Sequence, residues 1–145
     1  MVYCDNSCLV KLYVREADSL EAIQLVEKCH GDSILFTKFQ QLEVTAAIEG
    51  KVFRGEIEEE EAGAAFNELA AHLELGYLDR PRIDWEEVFA SGIELASQTV
   101  RKSGNRSLDL LHIAIAKELG CKTLLTYDKR QAEVAVSIGF EVLPS

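Results

Sequence analysis

Short apolar runs alternate with longer amphipathic segments along this chain, and that alternation is the sequence feature that most restricts its fold. A short apolar run bounded by turn residues is typical of a buried strand, whereas apolar residues spaced three and four apart are typical of a helix. The runs predict strands over residues 2–4, 34–36, 123–127 and 140–143. Strands that alternate with helices predict an α/β fold with a parallel sheet.

Segments with helical spacing lie between the predicted strands, and capping residues define several of their ends. The predicted helices cover residues 7–14, a segment from Ser19 that Gly31 ends, and residues 38–49, 56–75, 84–104, 107–119 and 129–138. Thr37 is expected to cap the helix over residues 38–49, which Gly50 is expected to end, and Ser107 is expected to cap the helix over residues 107–119. Leu20, Ile23 and Ile93 are expected on the buried faces of their helices.

Length and composition exclude several classes of protein. The 145 residues include 15 Lys and Arg against 25 Asp and Glu, a formal net charge of −10. This length predicts one domain over residues 1–145, long enough to bury a core without a disulfide or metal. An apolar content of 48% with 28% charged residues is neither that of a disordered chain nor that of a membrane protein. The acidic balance argues against a general nucleic-acid coat protein, because binding to phosphates needs a surplus of Lys and Arg.

Four cysteines, Cys4, Cys8, Cys29 and Cys121, could form two disulfides in a secreted protein. Charged residues interrupt the apolar run at the amino end, which therefore does not read as a signal peptide, and we expect a cytoplasmic protein with reduced thiols. The cysteine spacing matches none of the usual zinc sites. Buried, unreactive thiols are the expectation.

Four acidic residues stand at positions where a purely structural account would favour an apolar or neutral side chain. Asp5 and Asp128 each follow a predicted strand, and the carboxyl ends of parallel strands are where ligands bind. Glu43 lies in a mostly apolar helical stripe, where an unpaired carboxylate would be costly. Asp109 lies in the first turn of a helix that is apolar on almost every side.

In an α/β fold these four carboxylates would converge on one edge of the sheet. Carboxylates placed together repel one another, and some would protonate unless a cation neutralised them. Oxygen-only ligands suit Mg²⁺ or Mn²⁺ better than zinc. Such a site can activate water and stabilise the charge that develops on a phosphodiester, so the pattern indicates a metal-dependent nuclease.

The same segments resemble the PIN-domain ribonucleases, and within them the VapC-type toxins of toxin–antitoxin pairs. The matching segments are residues 2–13 (VYCDNSCLVKLY), 42–44 (LEV), 107–112 (SLDLLH) and 125–130 (LTYDKR). The resemblance implies a PIN-like three-layer α/β/α sandwich around a central parallel sheet, with frequent homodimerisation. It also implies an endoribonuclease that depends on Mg²⁺ or Mn²⁺, acts on RNA and is restrained by an antitoxin protein.

Carried over by position, Asp5, Glu43, Asp109 and Asp128 correspond to the acidic quartet of that family. The resemblance makes Asp5 and Asp109 the firmest metal contacts, while Asp128 completes or orients the site. Glu43 would either bind the metal through water or help activate the attacking water. Asn6 replaces the threonine that the family commonly has after the first aspartate, which leaves metal binding plausible but changes the group next to it.

Other side chains near these segments allow both a functional and a structural interpretation. Ser7 could orient Asp5 or cap a helix, and Thr126 could hydrogen-bond a carboxylate or simply belong to a strand. His112 is expected to be a satisfied core residue, or one that supports a metal-binding carboxylate, rather than a general base. The candidate RNA contacts are basic residues near the acidic segments, and each could equally be ordinary surface charge: Lys11, Arg15, Lys102, Arg106, Lys129 and Arg130.

Two other functions fit part of the pattern. A phosphotransferase with an aspartate nucleophile would place Asp5 after its first strand, but Ser7 stands where such an enzyme has a second aspartate. A PIN-like or receiver-like binding module could hold a cation through the same acids for structural reasons alone. Metal binding without RNA turnover would favour that module.

Overall fold

The structure is a computed structural model that describes residues 1–29, 31 and 33–145. The described chain divides into two compact units, residues 1–5 with 81–145 (unit 1) and residues 6–80 (unit 2), and each is described by itself. In chain order the elements are β1 (Val2–Cys4), α1 (Asn6–Tyr13), α2 (Ser19–Cys29), β2 (Ile34–Leu35), α3 (Lys38–Phe53), α4 (Glu59–Leu75), β3 (Leu78–Asp79), α5 (Trp85–Ser103), α6 (Ser107–Glu118), β4 (Thr123–Leu125), α7 (Lys129–Ser137) and β5 (Glu141–Leu143).

Unit 1 is built on a three-stranded parallel sheet with the order β1–β4–β5. Its residues are in register, so that Cys4 lies opposite Leu125 and Leu125 lies opposite Leu143. All of β1 and most of β4 are buried, as expected for strands of a parallel sheet. The predicted α/β class and parallel sheet are therefore confirmed.

This register aligns the carboxyl ends of β1 and β4 at one edge of the sheet. The ladder continues one residue past each strand, because the backbone N–H of Asp5 donates to Leu125 O at 3.1 Å and that of Thr126 donates to Leu143 O at 3.0 Å. The residues that immediately follow the two strands are consequently neighbours in space. The fold thus delivers the side chain of Asp5 to the place where the β4–α7 loop begins.

Helices α5, α6 and α7 complete unit 1, and α5 packs against α6. The interior of α6 is buried from His112 to Ala116, which agrees with the almost continuous apolar sequence of this segment. Asp84 caps α5 through a bond from the Glu87 N–H, and Gly104 ends that helix with a φ of +67°. Ser107 is the first helical residue of α6 rather than its cap, because Arg106 holds the N-cap position.

Unit 2 contains α1–α4 and a two-stranded parallel sheet of β2 and β3. Strand β3 was not predicted, because only one of its two residues, Leu78, is apolar and buried, so this segment contains no apolar run. Gly50 does not end α3, which continues to Phe53 before Gly55 turns the chain with a φ of +72°. A single glycine inside a helix costs only about 1 kcal/mol, which packing of the remaining turns can offset. Gly31 follows α2 with a φ of +68°, and residue 30, within the predicted helix, lies outside the described residues.

Three apolar residues expected in the core, Leu20, Ile23 and Ile93, are exposed. Helix α2 buries Ala22 and Val26, and Leu20, on another face of that helix, is 68% exposed. Helix α5 buries Val88 and Leu95, whereas Ile93 is 71% exposed. Both helices carry apolar residues around more of their circumference than their own unit covers, so spacing alone could not identify the buried stripe.

The cysteines are free thiols, as expected. Cys4, Cys8 and Cys121 are buried and Cys29 is half-buried. Burial raises the pKa of the Cys121 thiol to about 11, so this thiol remains protonated and unreactive at neutral pH. Among the described residues, no helix has both the length and the apolar character needed to cross a lipid bilayer.

Candidate active site

Three of the four predicted acids belong to unit 1. Asp5 directly follows β1 and is only 2% exposed. Asp128 holds the N-cap position of α7, and Asp109 lies in the first turn of α6, both half-buried. Each carboxylate is therefore placed by the end of a strand or the start of a helix, as the sequence pattern predicted.

Thr126 connects Asp5 to Asp128. Its hydroxyl donates to Asp5 Oδ2 at 2.6 Å and accepts from the backbone N–H of Asp128 at 3.0 Å. The side chain is buried, so both bonds are shielded from water. A hydroxyl can donate one bond while it accepts others, which suits it to this bridging position.

Gln131 connects Asp128 to Asp109, and the sequence reasoning missed it. Its backbone N–H donates to Asp128 Oδ1 at 2.9 Å, and its side-chain Nε2 donates to the backbone carbonyl of Asp109 at 3.0 Å. Gln131 is buried, as are Val134 and Ala135 of the same helix. An amide three and four residues before two apolar core positions was the signal that could have revealed it.

Asp109 carries the clearest electrostatic perturbation of the three. Burial raises the pKa of Asp109, and the nearby Asp128 carboxylate acts in the same direction. The backbone N–H of Arg106, which donates to Asp109 Oδ2 at 3.3 Å, opposes this shift of the pKa, as do the His112 ring and the Arg106 side chain. The net pKa of Asp109 lies above its ordinary value, so the site resists a full set of negative charges.

His112 lies one turn beyond Asp109 and is almost completely buried. Its Nδ1 is 2.9 Å from the hydroxyl of Tyr3, which is also buried, and the two rings meet edge to face. This is the satisfied core position expected of His112. The hydrogen bond joins β1 to α6.

A pocket of about 530 Å³ opens beside Asp109 and Asp128. Tyr127 and three of the predicted basic residues complete its lining: Arg106, Lys129 and Arg130. A lining that combines carboxylates and cations can hold a metal and a phosphate together. Whether these cations contact RNA remains a prediction.

The other predicted site residues lie in unit 2. Glu43 is half-buried on α3, and Asn6 and Ser7 occupy the first turn of α1, so Ser7 lies inside the helix rather than at its cap. Lys11 Nζ is 2.7 Å from Glu16 Oε2, so this cation is engaged within its own unit. Arg15 is exposed. The participation of these residues in the site remains a prediction.

The donor chemistry of unit 1 fits a hard divalent cation. Hydrogen bonds among the described residues use Asp109 Oδ2 and Asp128 Oδ1, and leave the other oxygen of each carboxylate for a metal. Carboxylate oxygens are the ligands that Mg²⁺ and Mn²⁺ prefer. Among the described residues, no three His, Cys, Asp or Glu side chains form a group that could hold a metal ion as they stand. Metal binding would therefore require these carboxylates to move.

Comparisons with known proteins agree with these motifs. The chain is 30% identical to ribonuclease VapC46 of Mycobacterium tuberculosis over 148 residues, which cover 98% of this chain and 95% of that protein. Three solved structures share its fold at 14% identity, and each alignment covers 96–98% of both chains. They are VapC20 of M. tuberculosis, a toxin that cleaves the sarcin–ricin loop (TM-score 0.62), FitAcB from Neisseria gonorrhoeae (0.64), and VapBC2 from Rickettsia felis bound to a DNA fragment from their promoter (0.61). The PIN domain profile matches residues 2–137, and this chain therefore belongs to the PIN-domain family, with VapC-type proteins among its relatives.

Proposed function

We propose that this protein is a metal-dependent endoribonuclease and the toxin of a toxin–antitoxin pair. The observation that carries the proposal is the arrangement in unit 1 of Asp5, Asp109 and Asp128. Thr126 and Gln131 connect these three aspartates beside a pocket that contains both acids and cations.

Asp5, Asp109 and Asp128 would hold Mg²⁺ or Mn²⁺, and we propose Glu43 as the fourth member of the set. The bound ion would lower the pKa of a water molecule, so that it can attack as hydroxide, and would stabilise negative charge on the phosphodiester. Without a cation, burial and the charge of Asp128 both raise the pKa of Asp109. A bound cation would offset this effect and favour the ionised carboxylates.

The cations of the pocket would bind the substrate. Arg106, Lys129 and Arg130 would contact phosphates of the RNA, and Arg can do so through two N–H groups. Thr126 and Gln131 would hold the carboxylates in place during the reaction. An acidic protein can therefore bind RNA at one local site despite its net charge of −10.

RNA is the substrate that the relatives support. VapC46 is a ribonuclease, and VapC20 is a toxin that cleaves the sarcin–ricin loop. We extend RNA cleavage to this chain and leave the target sequence open. The four free thiols are those expected in a reducing compartment, and we propose the cytoplasm as the place of action.

An antitoxin is the proposed partner, and a groove of unit 2 suits one of its segments. Tyr13, His72 and Tyr77 form a cluster of rings with centroids 5.5 and 5.6 Å apart, while Glu27 and Glu68 add negative charge to the mostly apolar lining. An apolar segment that carries Arg or Lys would complement this groove. The product of an adjacent reading frame should co-purify with the protein, and failure to form a complex would contradict this proposal.

A homodimer is proposed from an exposed apolar stripe on α5. Trp85, Phe89 and Ile93 follow one another at intervals of four residues and are all exposed, and Leu108 of α6 is exposed beside the groove that Phe89 and Ile93 line. Contiguous apolar surface of this kind marks interaction sites. Light scattering should return twice the mass of the chain, and a monomer at high concentration would contradict the dimer.

RNA cleavage tests the main proposal. A structured RNA is incubated with Mg²⁺ or Mn²⁺ and with wild type, Asp5→Asn or Asp109→Asn, because Asn keeps the hydrogen-bond acceptor and removes the charge. Wild type should cleave, both variants should lose activity, and EDTA should abolish it. Equal activity in all three proteins, or activity that survives EDTA, would refute the proposal. Metal binding without turnover on any RNA would favour a binding module instead.

A further inference from the structure

Gln131 is a buried polar residue of unit 1 that contacts the candidate site and whose side chain the fold alone does not explain. We propose that Gln131 is a positioning residue of the candidate site, whose side-chain amide fixes the separation of Asp109 and Asp128 and so sets the affinity for the divalent cation. The inference rests on the proposed function, since it assigns a role toward the metal that this function requires.

The hydrogen bonds of Gln131 join the starts of two helices. The backbone N–H binds the Asp128 carboxylate at the start of α7, and Nε2 binds the Asp109 carbonyl in the first turn of α6. The two aspartates are far apart in sequence, so no local turn fixes their distance. The side chain of Gln131 is therefore the direct link between the two helix starts.

The oxygen of the Gln131 side-chain amide makes no hydrogen bond that would stabilise the fold. The Oε1 atom is buried and has no hydrogen-bond partner among the residues that the structure describes. The amide cannot be reversed without loss, because Oε1 would then face the Asp109 carbonyl, which is another acceptor. A buried acceptor without a protein partner is costly, and an apolar side chain of the same size would avoid that cost.

Stability alone therefore does not account for a glutamine at this position. A side chain that only filled the core would be better as Met or Leu, whereas one that must hold the Asp109 carbonyl needs the N–H donor of an amide. Buried polar groups that stability does not favour are typical of functional sites. Residues that orient metal ligands commonly change metal affinity when they are replaced.

Gln131→Met tests this role with little change of volume. The backbone bond to Asp128 survives any substitution, so this variant removes only the link to Asp109 together with the unpartnered oxygen. Val134→Ala, one turn further along α7, is the matched control, because it trims a buried side chain that makes no hydrogen bond. Asp109→Asn is measured in parallel to report the metal site itself.

The primary measurement is Mn²⁺ affinity by calorimetry in the absence of RNA, together with the melting temperature in EDTA. We expect Gln131→Met to bind Mn²⁺ about 10–100-fold more weakly than wild type. Its melting temperature should stay within about 4 °C of wild type. Val134→Ala should melt lower and keep the wild-type affinity. In the cleavage assay Gln131→Met should show a lower kcat with little change in KM for RNA.

The outcomes separate this inference from the proposed function. If wild type binds Mn²⁺, Asp109→Asn does not, and Gln131→Met binds as wild type does, the positioning role is wrong while the metal site stands. If wild type binds no Mn²⁺, both fail. Should Gln131→Met unfold, Gln131→Asn takes its place, since it keeps an amide that is one methylene too short, and it should show the same weakening.

Discussion

Two groups of carboxylates in this protein have different kinds of hydrogen-bond partner. In unit 2, Glu16 forms ion pairs with two lysines: Lys51 Nζ lies 2.6 Å from Oε1, and Lys11 Nζ lies 2.7 Å from Oε2. In unit 1, Asp109 and Asp128 are held by uncharged donors, namely the backbone N–H groups of Arg106 and Gln131. The Glu16 carboxylate is paired directly with two lysines, whereas the Asp109 and Asp128 carboxylates lie near each other and have no lysine or arginine side chain at ion-pair distance among the described residues.

The pKa values respond accordingly. Burial acts to raise the pKa of Glu16, but the hydrogen bonds and charges of Lys11 and Lys51 outweigh it and lower that pKa. Burial raises the pKa of Asp109, and Asp128 adds to the effect. The carboxylate of Glu16, paired with two lysines, stabilises the fold. The neighbouring carboxylates of Asp109 and Asp128 repel each other, and a bound cation would remove that repulsion.

The largest predicted contrast is in cleavage. Asp128→Asn keeps the acceptor for the Gln131 N–H but removes one charge from the proposed metal site, and we expect RNA cleavage to fall by about 10²–10³-fold or more. Glu16→Gln should stay within about twofold of wild type, because its cluster serves folding. Rates under single-turnover conditions measure this, and an equal loss in both variants would remove the distinction between the two regions.

The second contrast is in stabilisation by metal. At a Mn²⁺ concentration about 100 times the dissociation constant, binding adds about 2.7 kcal/mol, which corresponds to a rise of roughly 8 °C in melting temperature. Wild type and Glu16→Gln should show this rise, and Asp109→Asn should not. Calorimetric melts in Mn²⁺ and in EDTA make the comparison. A similar rise in Asp109→Asn would locate the Mn²⁺ site elsewhere.

The smallest contrast is the pH dependence of stability without metal. The lowered pKa of Glu16 gives stability that is present above the ordinary carboxyl pKa of about 4.3 and lost as the pH falls. Glu16→Gln should therefore cost about 1 kcal/mol near pH 7, since solvent screens part of the interaction, and less at pH 4.

Asp109 should behave in the opposite way. Its raised pKa disfavours the ionised form in the folded state, so the penalty is absent below about pH 3.9 and grows as the pH rises. Asp109→Asn should stabilise the metal-free protein at neutral pH by a few tenths of a kcal/mol, because the half-exposed carboxyl is screened. Denaturant unfolding in EDTA between pH 4 and 8 measures the unfolding free energy of both variants relative to wild type. A change of the same sign in both variants at neutral pH would contradict the comparison.

Much of unit 1 could be predicted from the sequence. Strands β1 and β4 are short apolar runs, and a parallel sheet aligns their carboxyl ends, so the pattern alone assigned Asp5 and Asp128 to one edge. Asp109 could be assigned because a charge in the first turn of an apolar helix is conspicuous. These predictions depend on local pattern and on general geometry of α/β folds.

The remaining features depend on contacts between distant segments. Gln131 looks like a surface amide until the Asp109 carbonyl, 22 residues earlier in the chain, is placed beside it. The pairing of Lys11 and Lys51 with Glu16 likewise requires α1 and α3 to be packed together. The end of α3 at Phe53 depends on packing that outweighs the low helix propensity of Gly50. No periodicity encodes such contacts.

The most direct test of the proposed metal site is anomalous X-ray diffraction from crystals grown with Mn²⁺. We predict a manganese peak bound by the carboxylates of Asp5, Asp109 and Asp128, and loss of that peak in Asp109→Asn crystals. A wild-type crystal saturated with Mn²⁺ that shows no peak at these three carboxylates, or a peak at the Glu16 cluster instead, would contradict it.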